Sequence, residues 1–174
     1  MSSSAGIIII GDEILSGRTK DTNINWIANE LNELGIKLKE ARVIEDDKKT
    51  IINTVLEFSK KFTYVFTSGG IGPTHDDITT ESIAAAFKVD LEKNKIAMNL
   101  LKKHYEKSNI DFNEARQKMA IIPKGASLID NPVSIAPGFN IKNVYVFAGV
   151  PKIMQSMFHS ISVKLKGGII IKSK

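Results

Sequence analysis

The run Thr67-Ser68-Gly69-Gly70-Ile71-Gly72-Pro73-Thr74-His75-Asp76-Asp77 combines residue types suited to holding phosphate. Gly69, Gly70 and Gly72 free the backbone to take positive φ and to approach a ligand closely. Their amides can form an anion nest, to which Ser68 and Thr74 add hydroxyl donors. A helix starting behind the run would add its positive end. Asp76 and Asp77 conflict with a bare phosphate cradle. A divalent metal resolves the conflict, because a hard cation takes carboxylate and phosphate oxygens together. The plainer alternative is a turn at Gly70, Gly72 and Pro73, with the aspartates capping the next helix. No Gly-Lys-Ser/Thr follows, which rules out a Walker A loop, and the full Rossmann fingerprint is absent.

A second segment, Gly11-Asp12-Glu13-Ile14-Leu15-Ser16-Gly17-Arg18, is followed by Asp21-Thr22-Asn23. Asp12 and Glu13 could ligate a metal or position a water. Asp21 and Asn23 could cap a helix or contact a sugar or base. Two further stretches, Asn131 to Phe139 and Phe147 to Pro151, carry proline and glycine at turn-forming positions. His75 adjoins the paired aspartates and could serve as ligand or acid–base group. His104, His159 and Trp26 sit in helical patterns and read as structural.

Every one of these segments needs a scaffold that brings it to a common edge. Ala5 to Ile10 is a continuous apolar run, as in a strand buried on both faces. Ile24, Ile27, Leu31 and Leu34 recur at helical spacing and end at Gly35. Ile36 to Ile44 returns as a strand, and Ile51 to Phe58 is amphipathic. Phe62 to Thr67 reads as a third strand. Helical patterns follow at 81–87, 93–107 and 113–119. Short strands punctuated by loops occupy 121–150, the best of them at 144–147, and a helix spans 151–161. The tail from Lys166 could add an edge strand or fray. This alternation predicts an α/β fold, three-layer α/β/α with a mostly parallel sheet, in which strand ends collect the glycine loops. No repeat or linker divides the chain, so one domain over 1–174 is expected.

Composition narrows the function further. The chain has 174 residues and a formal net charge of +5, with paired lysines scattered rather than massed. Such a surface favours an anionic small molecule. Without an aromatic-interleaved basic motif, nucleic acid is not expected as a partner. There is no cysteine, which removes disulfides and thiolate chemistry. No apolar stretch reaches the roughly 18 residues of a membrane span, and the N-terminal run lacks the basic region of a signal peptide. A cytoplasmic protein with no membrane partner is expected.

Taken together, GDEILSGRTKDTN, SGGIGPTHDDIT-x-E, NPVSIAPGF and GVP resemble the amino-terminal domain of the competence/damage-inducible protein A (CinA) family. That domain shares the molybdopterin-binding (MoaB/Mog-like) fold. The resemblance runs in order from about Gly6 to Phe158, and the two glycine–acid blocks are its most specific part. It implies divalent-metal-dependent (Mg, Mn or Co) pyrophosphatase activity on ADP-ribose or FAD, or binding and transfer of a pterin in molybdenum-cofactor biosynthesis. The implied ligand positions are Gly11, Asp12, Glu13, Ser68, Gly69, Gly70, Gly72, Thr74, Asp76 and Asp77, with Gly138 and Gly149 nearby. For hydrolysis, Asp76 or Asp77 would be the metal ligand, and Asp12 or Glu13 would orient the attacking water. Two departures bear on substrate choice: Ser134-Ile135 stands where the family has Gly-Thr, and Phe147-Ala148 replaces Leu-Pro. The resemblance also implies a dimer or trimer, and it leaves no segment matching the carboxy-terminal deamidase domain of many CinA proteins.

Overall fold

Seven residues from Ser4 to Ile10 form β1, and their side chains divide between two cores. Ile7 and Ile9 enter one, while Ile8 and Ile10 enter the other. A strand with both faces covered must read as a continuous apolar run, because neither face meets water. The computed structural model describes residues 2–168. Its order is β1 (Ser4–Ile10), α1 (Asp12–Leu15), α2 (Asn23–Glu33), β2 (Lys37–Ile44), α3 (Lys48–Lys61), β3 (Tyr64–Ser68) and α4 (Thr79–Ala86). Then come β4 (Leu91–Lys93), α5 (Lys95–Lys107), α6 (Glu114–Gln117), β5 (Ile121–Pro123), β6 (Ser127–Ile129), β7 (Gly138–Ile141), β8 (Val144–Phe147) and α7 (Pro151–Ser162).

The main sheet has six strands in the order β2-β1-β3-β8-β7-β6. β2, β1, β3 and β8 run parallel, and β7 and β6 extend the sheet antiparallel. α2 and α7 cover one face through Ile27, Leu31, Met154, Met157 and Phe158. α3 and α4 cover the other through Ile51, Val55, Phe58 and Ile83. The expected three-layer, mostly parallel arrangement is therefore the one observed.

Several boundaries differ from the sequence reading. Phe62 is not in the third strand: it ends α3, its amide donating to the Phe58 carbonyl. Lys93 belongs to β4 rather than to the following helix, which begins at Lys95 because Asn94 caps it, accepting from the Ala97 amide at 2.9 Å. The expected helix 113–119 shrinks to α6 and a tight 3₁₀ turn at Lys118–Ala120. β4 and β5 pair as a two-stranded antiparallel ribbon outside the main sheet. Beside it, α5 and the 3₁₀ turn build a small lobe around Ala97, Leu101 and Ala120. Lys166 to Gly168 carry no strand, and the remainder of the proposed edge strand lies outside the described residues.

Candidate functional site

The carboxyl ends of β1, β3 and β8 lie side by side because these strands are parallel and adjacent through β3. Each is followed at once by one of the glycine-bearing loops, so the loops converge at one edge, where open α/β sheets bind ligands. The Gly69 amide donates to the Phe147 carbonyl at 3.1 Å, and the Gly11 amide to the Ile44 carbonyl at 3.0 Å. Gly69 and Gly70 have φ of 108° and 75°. A Cβ on Gly69 would collide with the Ile10 carbonyl, and one on Gly70 with the Thr79 hydroxyl. Both positions therefore require glycine on two counts, conformation and space.

The loops enclose a cleft of about 510 Å³. Gly69, Gly70, Ser134 and Gly149 line it together with Glu13 and Asp77. Val150 and Pro151, which open α7, also border it, so a helix of 12 residues presents its positive end there. A smaller compartment of about 190 Å³ adjoins it, lined by Leu91, Ile122 and Phe139, with Thr80, Glu81 and Lys118. Ile71, Gly72, Asp77 and Met119 border both spaces.

The remaining sequence candidates are distributed around this cleft in different roles. Asn23 is 4% exposed and donates through Nδ2 to the Ser68 hydroxyl and the Gly149 carbonyl, each at 2.9 Å. It ties the start of α2 to the ends of β3 and β8. Asp21 caps α2, accepting from the amides of Asn23 and Ile24. Thr74 donates from its amide and hydroxyl to Asp77 Oδ2, at 2.9 and 2.7 Å, closing a turn. Asp76 points outward, its side chain 78% exposed, beside His75 at 3.2 Å, and it borders neither compartment. Gly138 lies in β7, where a Cβ would meet the Val146 carbonyl and Met157, so its role is core packing. Asp12 is turned toward the β2–α3 connection, where it meets Asp46.

Asp46 was not among the sequence candidates. Its carboxyl is held above the usual carboxylate range, first by burial and then by the charges of Asp12, Glu13 and Asp77, against the lowering effect of the Asp12 amide. These acids thus share one electrostatic neighbourhood. Among the described residues, however, no three His, Asp or Glu side chains are grouped as ligands for a metal ion. The donor set does not form a preassembled metal cage.

Asn131 organises the loop from Asn131 to Ala136. Its Oδ1 accepts from the amides of Val133 and Ser134, and its Nδ2 donates to the Ser134 hydroxyl and the Ala136 carbonyl. Ile135 sits at φ 73°, and the Ala136 amide donates to the Ser134 carbonyl at 2.9 Å. This is a three-residue turn of the positive-φ kind, rare and strained for a β-branched residue.

A doubly covered α/β sheet with a two-compartment cleft at its glycine loops is the architecture of a small-molecule-binding domain. A family model described as "probable molybdopterin binding domain" matches residues 6–166, and the chain belongs to that family. Within it, the chain is similar to the protein CinA of Thermoplasma acidophilum, described as of unknown function. The two share 34% identity over 94% of this chain and 98% of that one, with a TM-score of 0.86. The fold alone is shared with MoaB of Thermus thermophilus, at 15% identity and a TM-score of 0.63 over 94% of this chain and 91% of that one. A relative from Sulfurisphaera tokodaii is 39% identical over 161 residues, covering 90% of this chain and 61% of that protein. The chain thus spans less than two thirds of the length of the curated relatives it matches.

Proposed function

We propose that this domain binds a phosphorylated pterin of the molybdopterin type, with its phosphate at Gly69 and Gly70 and its ring in the smaller compartment, against Leu91, Ile122 and Phe139. The observation that carries this reading is the junction at Ile71, Gly72 and Asp77, which joins a glycine-lined space to a second one walled by Leu91, Ile122 and Phe139. Ligand pockets of this kind combine apolar walls with a few placed polar groups. The Gly70 amide and the start of α7 favour the phosphate, the Gly69 amide being taken up by the Phe147 carbonyl. The family description of a molybdopterin-binding domain supports the same ligand class. Titration calorimetry with a phosphorylated pterin, its dephosphorylated form and AMP tests the reading. Binding that needs the phosphate and is strongest for the pterin is expected. Absence of heat at about 1 mM of every phosphorylated compound would sink it.

A second reading is hydrolysis of the pyrophosphate in ADP-ribose or FAD, favoured by the shared neighbourhood of Asp12, Glu13, Asp46 and Asp77. No catalytic step is assigned, because these carboxylates do not converge as a metal-ligand set. Incubation with either dinucleotide and Mg²⁺, Mn²⁺ or Co²⁺ decides it: release of AMP supports hydrolysis, and intact substrate removes it.

A further inference from the structure

The chain's charge is spread over its surface, yet among the described residues only one cation, Lys118, borders either compartment. Lys118 opens the 3₁₀ turn after α6, on the small lobe. Its ammonium crosses to the glycine loop, donating to the Thr74 carbonyl at 2.6 Å and the Asp77 carbonyl at 2.7 Å. An ammonium has three donors, so one remains. Among the described residues no carboxylate lies within 4.0 Å of it, leaving its charge without an ionic partner.

The loop it grips is a closed unit. The Asp77 carboxylate takes the Thr74 amide and hydroxyl from within, while Lys118 takes the two carbonyls from outside. Gly72 fits against the same carboxylate, since a Cβ there would lie 2.8 Å from Asp77 Oδ2. Gly72 and Asp77 both border the two compartments, so whatever fixes this turn fixes the passage between them. The other end of the grip is also anchored, because the Ala120 carbonyl accepts the Asn94 amide at 2.8 Å at the start of α5.

We propose that Lys118 is a positioning residue for the cleft. It latches the Thr74–Asp77 turn to the small lobe, and its unpaired charge offsets that of Asp77 and Glu81 when an anionic ligand enters. The charge half of this assignment rests on the phosphorylated-ligand reading above; the latch half does not. A guanidinium keeps the charge and the N–H donors of an ammonium, though not its compact shape, whereas a methyl-ended chain of similar length keeps neither charge nor donors.

The test uses the full chain with Lys118→Met, Lys118→Gln and Lys118→Arg, and Lys39→Met as a surface control. Hydrogen exchange of the ligand-free proteins is expected to show Gly72–Asp77 amides exchanging about tenfold faster in the Met and Gln variants. The Arg variant and the control should retain protection. AMP titrated at low and at physiological salt should bind about tenfold more weakly to Lys118→Met, with a flatter salt dependence, and Arg should restore most of the loss. Unchanged exchange at 72–77, or a rise spread evenly over the protein, would overturn the latch. Unchanged AMP affinity in Lys118→Met would overturn the charge role. If the wild-type protein binds neither AMP nor a phosphorylated pterin, the functional reading and the charge role fall together, and exchange alone decides the latch.

Discussion

Asp12 and Asp46 hold each other by the backbone: the Asp12 amide donates to Asp46 Oδ2 at 3.0 Å, and the Asp46 amide to Asp12 Oδ1 at 3.1 Å. The exchange joins the segment after β1 to the segment after β2, and it places two acids side by side at the rim of the sheet. Asp46 nevertheless carries a cost: its carboxyl resists ionisation chiefly because it is partly buried, and the Asp12 amide offsets this only in part.

That cost has a sign. At a pH below the ordinary carboxylate range Asp46 is protonated in folded and unfolded chains alike, and no penalty exists. As the pH rises through the raised folded value, the unfolded chain ionises more readily and stability is lost. Asp46→Asn keeps an acceptor for the Asp12 amide and removes the charge. Its melting temperature relative to wild type should therefore climb as the pH rises from about 3.5 to about 7. A difference that stays flat across this range would show that Asp46 ionises normally.

Gly70→Ala should cost more than Gly17→Ala, although both residues sit at φ near 75°. Gly17 has nothing within 4 Å of a new Cβ, so only the backbone conformation is penalised, by about 1–2 kcal/mol. At Gly70 the Cβ also meets the Thr79 side chain, adding about 1–3 kcal/mol of overpacking. Urea midpoints of the two variants measure the difference. Equal midpoints would mean that the loop yields freely around Thr79.

Asn23→Ala removes one donor from two acceptors at once, the Ser68 hydroxyl and the Gly149 carbonyl. Leaving such groups unpaired in a buried place costs about 1–3 kcal/mol. Because the two acceptors lie on different strands' ends, the loss should also raise exchange at the entry to α7. A variant as stable as wild type would show that water replaces the amide without penalty.

The sequence was most legible where a face is fully dry. The isoleucines of β1, the Ile27–Leu31 stripe of α2 and the 144–147 strand were all readable from apolar pattern, and each lies where expected. β4 was not, because its three residues are all exposed and carry no alternation. The glycine loops were legible from composition, since few other residues tolerate positive φ. The partners were not. Asp46 sits in the run Glu45-Asp46-Asp47, where nothing local distinguishes one acid from the next. Lys118 reaches the loop only because the small lobe folds back over 41 residues of chain to Asp77. Thr74 offers a hydroxyl donor and Asp76 a carboxylate beside the glycines, yet neither borders either compartment.

Ile135 offers a test of stored strain. A residue held at positive φ costs about 1–3 kcal/mol, which Ile135→Gly would release. The same change forfeits packing in the groove that Ile135 lines with Ile96 and Leu100. The two effects oppose, so stability should shift by less than about 1 kcal/mol, in contrast to the roughly 2–5 kcal/mol expected for Ile83→Ala in the core. Denaturant unfolding of both variants gives the comparison. A cost for Ile135→Gly matching that of Ile83→Ala would mean that no strain resides in the turn.

The cleft draws on residues near 13, near 70, near 134 and near 150, so its walls come from the beginning, middle and end of the chain. A ribosome that has released everything up to β7 has made most of the sheet's strands but no complete cleft. β8, which sits between β3 and β7, and α7, which follows it, arrive last. A molecule that touched all four segments would therefore meet a complete set of walls only once β8 and the start of α7 had been made.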